Sequence, residues 1–194
     1  MTIKSLFKPF DYVQEKKLLF IGIGVAILSC ILQTFTMSRG IAILKMATIM
    51  KAPTIFQTLA DNIISTLLMT ITLFVFGKFI NSKTRFIDIV NVVLISRMIM
   101  YVLIFFDIDG KSSKMATFLI ENANDQEAII ENLAELAPLF IMGIVSILAL
   151  IAFSYYIYQG FKTATHMKKA GHIILFILII LITDTLTRLV TTLY

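Results

Sequence analysis

The sequence predicts an all-α protein, a polytopic bundle of five membrane-spanning helices, and three observations carry that prediction. Of the 194 residues 58% are hydrophobic and only 15% charged, with a mean hydropathy of +0.91, outside the ordinary mix of a soluble domain. Five apolar stretches approach the roughly 20 residues, at about 1.5 Å each, that a hydrocarbon core roughly 30 Å thick requires. Lipid offers no partner to backbone polar groups, so each stretch must satisfy its own, which a helix does. With three prolines, eight glycines and no low-complexity tract, one integral domain is expected over residues 18–194.

Residues 1–17 come first. "IKSLFKPFDYVQEKK" mixes Phe7, Phe10 and Tyr12 with four lysines just before the first span. This is the pattern of an amphipathic segment on an anionic inner leaflet, with a solvated leader as the plainer reading. The first span covers 18–35; it lacks a cleavage pattern and more spans follow, so it reads as uncleaved. Within it Gly22, Ala26 and Cys30 recur every four residues, a small-residue stripe that permits close helix approach. Cys30 is the one cysteine, which rules out an intrachain disulfide.

The next connection, "SRGIAILKMATIMKAP", is apolar on one face, with Arg39, Lys45 and Lys51 to reach headgroups, and is expected to form an interfacial helix. The second span, 63–80, leads through a short basic turn into the third, 87–106. The loop from Asp107 to Ala137 carries seven carboxylates against Lys111 and Lys114. Its stretch "DQEAIIENLAEL" spaces Ile129, Ile130, Leu133 and Leu136 for one face of a surface helix, running into the fourth span, 138–158, at Pro138. "DIDGKSSK" lacks the later ligands of a calcium loop. A basic turn then leads to the fifth span, 173–193.

Lys and Arg set the direction of threading. Lys4, Lys8, Lys16 and Lys17, then Lys78, Lys83 and Arg85, then Lys162, Lys168 and Lys169 put ten basic residues on one side, against five on the other. The amino terminus is therefore expected in the cytoplasm and the carboxy terminus outside. Lys162, Lys168 and Lys169, with His166 and His172, are candidates to touch lipid phosphates, the alternative being an ordinary solvated loop. Six residues apart, the two histidines do not share a helix face, so no metal or other cofactor is expected.

Charges inside the spans pose the functional question. The last span, "HIILFILIILITDTLTRLVTTLY", carries Asp184 and Arg188, and the third carries Arg97. A central Asp or Arg costs roughly 2.5 to 3.5 kcal/mol to insert, so the last span's fourteen apolar residues, worth about 4 to 8 kcal/mol, are largely offset. The charges are therefore expected to pair. Arg97 and Asp184 lie at similar depth, while Arg188 follows Asp184 by one turn and can share it or snorkel outward. A structural staple completed by Thr183, Thr185 and Thr187, and a path for protons or an anion, are both open readings.

The segments "LFVFGKFINSKTRFIDIVNVVLISRMIM" and "FSYYIYQGFKTATHMKKAGHIILFILIILI", each with a basic turn between or before apolar spans, resemble the bacterial branch of the Yip family over roughly Leu67 to the end. The resemblance implies a five-span integral protein with a cytoplasmic amino terminus, in a cell membrane and most simply a bacterial inner membrane. In eukaryotes the family implies interaction with Rab-type GTPases. The Asp-Leu-Tyr-Gly-Pro segment of those members is absent here, so that interaction is not carried over, and no family site residue transfers.

The expected function is thus non-enzymatic: a Yip-type organiser or scaffold acting through lipid and helix contacts. The alternative is a small transporter or channel subunit using Arg97, Asp184 and Arg188. No nucleotide-binding glycine motif, nucleophile-and-base set or intramembrane protease motif is present. The expected partners are membrane lipids, and a second copy or another membrane protein; nucleic acid is not expected, because the net charge of +5 is not one dense basic face.

Overall fold

The computed structural model describes residues 7–36, 38–49, 52–106, 111–132 and 134–193. Lys4, Lys51, Leu133 and the acidic start of the long loop at 107–110 lie outside the described residues. A short helix, α1 (Pro9–Tyr12), opens on Pro9, whose ring presets the first helical φ. It is followed by α2 (Glu15–Phe35), a two-stranded antiparallel hairpin of β1 (Ser38–Gly40) and β2 (Met46–Thr48), and α3 (Ile55–Ile80). Next come α4 (Phe86–Tyr101, continued as a 3-10 helix over Val102–Phe106), α5 (Lys111–Glu121) and α6 (Gln126–Glu131), then α7 (Ala137–Thr165) and α8 (Ala170–Thr191). Helices α2, α3, α4, α7 and α8 are long and apolar enough to cross a membrane, so the chain is an all-α, multi-pass membrane protein.

Two spans exceed their expected bounds by more than a turn. Helix α3 starts eight residues before the expected 63 because Thr54 and Gln57 form a capping box: the threonine hydroxyl accepts from Gln57 N at 3.3 Å and the glutamine oxygen accepts from Thr54 N at 3.0 Å. Helix α7 runs to Thr165 rather than 158 and stops at His166, a non-glycine residue at φ 56° in the left-handed region that closes helices. In the long loop α6 covers part of the expected surface helix. Ile130, however, is exposed while Leu136 is buried, so these two do not share one buried face.

Contacts define two ends of the bundle. Glu15, Arg85 and Thr163 gather at one, here called proximal, and Arg39, Asp61 and Thr191 at the other, called distal. Helix α4 with its 3-10 extension is central: 67% of its apolar window is buried in protein, against 11% for α7 and 17% for α8. It packs on α2, α3 and α7, while α8 packs on α3. The small-residue stripe operates at Gly22, where an added Cβ would sit 2.7 Å from Leu94 Cβ, so only glycine lets α2 and α4 approach this closely. At the proximal end the rings of Phe76, Phe161 and Phe176 stack, with centroids 5.7 and 4.7 Å apart, and join α3, α7 and α8.

The connection between α2 and α3 is not the expected interfacial helix. It is a re-entrant hairpin whose turn buries Ala42 and Ile43 and packs Ile43 into the core with Met69, Leu73 and Met100. Non-helical backbone at membrane depth survives only where protein satisfies its polar groups. Here Ala42 N donates to Lys45 O at 3.2 Å, Gly40 N to Gln33 Oε1 at 3.2 Å, and Leu44 N at the tip to Asp184 Oδ1 at 2.8 Å; Ile41 O accepts from the Thr191 hydroxyl.

Candidate functional site

The hairpin answers why the last span carries an acid. Asp184 does not meet Arg97; its carboxylate accepts the hairpin-tip N–H of Leu44, and no hydrogen bond or ion pair links it to Arg97 or Arg188 among the described residues. The expected pairing is thus corrected: α3 lies between α4 and α8, so equal depth on spans three and five does not bring their charges into contact. Arg188 is exposed and not in an ion pair with Asp184 four residues earlier, in keeping with the outward alternative. The threonines mostly serve their own helix: Thr183, Thr185 and Thr187 donate to the carbonyls of Ile179, Leu181 and Thr183, and Thr183 also reaches Thr72 of α3 at 3.1 Å.

Arg97, only 3% exposed, turns to α3 instead. One terminal nitrogen donates to Asn62 O at 3.0 Å and to the Thr66 hydroxyl, the other to Asn62 Oδ1 at 3.3 Å, and the guanidinium lies 5.6 Å from the Tyr101 ring centroid. Asn62 is the hub: its oxygen also accepts from Tyr101 OH at 2.7 Å, and its amide donates to Cys30 Sγ at 3.2 Å and Thr58 O at 3.0 Å. The cluster ties α2, α3 and α4 together. Toward the distal end Arg39 grips Asp61 through two nitrogens, at 2.6 and 3.0 Å, and donates to Thr191 O at 3.1 Å. Sequence reading missed Asn62, Thr66 and Asp61. The signal was their spacing: Thr58, Asp61, Asn62 and Ser65 recur every three or four residues and are all buried on α3.

The proximal end offers open chemistry. A groove of about 410 Å³ is lined by Lys8, Asp11, Gln159, Lys162, His166 and Lys168. Helix α1 forms one wall because Phe10 packs on Gly160, where an added Cβ would sit 2.7 Å from Phe10 Cε2. The acid in the groove is already engaged: Asp11 accepts from Thr163 Oγ1 at 3.1 Å and from Gln159 Nε2 at 3.4 Å. Lys8, Lys162 and Lys168 are exposed, which leaves the groove net basic. Of the residues expected to meet lipid phosphates, Lys162, Lys168 and His166 line it; Lys169 is exposed but outside the lining, Lys8 joins, and His172 instead sets its ring edge-on against Phe76 and Phe79.

A second cleft of about 610 Å³ shares Thr163 and His166 with this groove and is bordered by Arg85, Glu15, Asp88 and Asn91. Its charges are internally balanced: Arg85 binds Asp88 at 2.7 and 3.1 Å and also Glu15, and the two carboxylates, Asp88 foremost, push the guanidinium pKa above its already high ordinary value. The basic groove therefore carries the larger unbalanced positive charge of the two. Neither cleft is lined by Arg97 or Asp184. No protein-family model, curated protein or solved structure matches the chain, so the Yip resemblance rests on the sequence pattern alone.

Proposed function

We propose that this protein is a non-enzymatic membrane organiser that holds anionic phospholipid headgroups at its proximal face. The observation that carries this reading is the groove of Lys8, Lys162 and Lys168, whose one lining acid among the described residues, Asp11, is already hydrogen-bonded to α7. The lysine distribution supports a cytoplasmic position for this face, where a negative leaflet surface attracts cations. The transport reading gains less support, because Arg97 is enclosed and bonded within the bundle and Asp184 holds the hairpin. The Yip-type role named above is compatible with a lipid-organising function and adds nothing to the geometry.

The test is lipid retention by native mass spectrometry after purification from mixed phosphatidylglycerol and phosphatidylcholine. Wild type should keep phosphatidylglycerol preferentially. Each lysine near an anionic surface contributes about 1 kcal/mol, so the triple change Lys8→Gln, Lys162→Gln, Lys168→Gln should lower that preference by about a hundredfold at low salt, and less as salt rises. Equal retention of both lipids by wild type would end the proposal.

A further inference from the structure

We propose that the apolar cleft between α7 and α8 is an acyl-chain site, holding one tail of a phospholipid whose anionic headgroup sits at Lys162. The choice of headgroup rests on the function proposed above; the cleft itself does not. Although α7 and α8 are consecutive, each packs mainly on another helix, and they meet closely at the aromatic stack. Beyond that stack they part around a cleft of about 470 Å³. Its floor is Phe153, Ile157, Phe176 and Ile180, all buried, while Ser154 and Leu181 are exposed on its rims.

Length identifies the occupant. The lining runs from Leu150 to Tyr158 on α7 and from Ile173 to Leu181 on α8. Eight helical steps span about 12 Å, close to the roughly 15 Å of one leaflet's hydrocarbon. The far end, at Leu150 and Leu181 near the middles of the two helices, is closed by Leu44, the hairpin tip that Asp184 holds about one turn further along α8. The near end is marked by charge: Lys162 Nζ lies 5.9 Å from the ring of Tyr158, which lines the cleft, and Lys162 also lines the basic groove. A cation at the interface, an apolar trench one leaflet deep and a stop at mid-membrane match a single phospholipid chain. A partner helix would need room through both leaflets.

The experiment reconstitutes the full chain in liposomes containing phosphatidylglycerol, or in parallel phosphatidylcholine, with a diazirine near the end of one acyl chain, and maps adducts by peptide mass spectrometry. Adducts should concentrate at Leu44 and around Ile180 and Leu181, and should be stronger with phosphatidylglycerol. Ser154→Phe, which fills the trench from its exposed rim, should cut them about tenfold while Ser154→Ala should not; melting of each variant checks that the fold is kept. Focused adducts that are equal for the two lipids uphold the acyl site and overturn the headgroup reading instead. Adducts spread over the outer faces of all five helices, or unchanged by Ser154→Phe in a fully folded protein, overturn the acyl site. So does a photoreactive residue at position 154 that captures a second copy of the chain in place of lipid.

Discussion

Replacing Asp184 tests how the hairpin is held inside the bundle. The carboxylate accepts from Leu44 N at 2.8 Å, and the turn beside it buries Ala42 and Ile43 to 3% and 2% exposure. A hydrogen bond to a charged group contributes about 1.5 to 3 kcal/mol, against 0.5 to 1.5 for a neutral pair, so Asp184→Asn should lose about 1 kcal/mol. Asp184→Leu removes the acceptor and leaves a backbone N–H unsatisfied, which adds about 1 to 3 kcal/mol, for a total near 3 kcal/mol. The cost of inserting the acid does not enter this difference, since the last span is in the membrane before and after the hairpin docks. About 3 kcal/mol raises the undocked population roughly a hundredfold. Trypsin digestion of reconstituted protein reads this directly, because Lys45, although its side chain is exposed, has its carbonyl bonded to Ala42 N in the docked hairpin and its backbone fits a protease cleft only once the hairpin leaves the bundle. Cleavage should rank wild type, then Asp184→Asn, then Asp184→Leu. Equal cleavage of all three would show that the Leu44 contact does not hold the hairpin.

Arg97→Leu and Asp184→Leu should each destabilise the detergent-solubilised protein, with losses that add to within about 0.5 kcal/mol in denaturant unfolding; a coupling above about 1 kcal/mol would revive their direct pairing. Asp61→Leu should cost about 3 to 5 kcal/mol by removing the carboxylate that balances the Arg39 guanidinium, and Arg39→Leu in the same chain should recover much of that loss; two independent losses would deny the pair its role. Gly22→Ala should lower the melting temperature, since its Cβ meets Leu94 Cβ at 2.7 Å, with overpacking costing about 1 to 3 kcal/mol. Gly24→Ala, with nothing within 4 Å, should be neutral or gain about 0.5 to 1 kcal/mol, and equal effects at the two glycines would contradict the close approach of α2 and α4.

The five spans were legible because crossing hydrocarbon demands a run of apolar residues, a local property. The start of α3 was not, since Asp61 and Asn62 interrupt the apolar run; they are nonetheless buried within the helix, bonded to Arg39 and Arg97. Depth was equally legible for Arg97 and Asp184, because rise per residue fixes it. Which helix lies beside which is a lateral question that depth does not address, so the expected partner of each charge was wrong. The hairpin was hidden for a related reason. "GIAIL" is apolar enough for an interfacial helix, and what makes it re-entrant is a guanidinium pair to the next helix, α3, and an acceptor on α8, 140 residues away. The basic groove was half visible: Lys162 and Lys168 were in view, but only the docking of Phe10 on Gly160 brings Lys8 to them.

The hairpin's anchor also bears on the order of assembly. Leu44 and Asp184 are 140 residues apart, and Ile41 and Thr191 are 150 apart, so the ribosome delivers the loop long before it delivers the two α8 groups that hold its turn. A nascent chain with only its first spans inserted has Gln33 and Asp61 to hold the hairpin strands but no acceptor for the tip. Translation of the final helix is therefore the step that locks the tip in place, and a chain cut short before Asp184 would leave the Leu44 N–H without its acceptor.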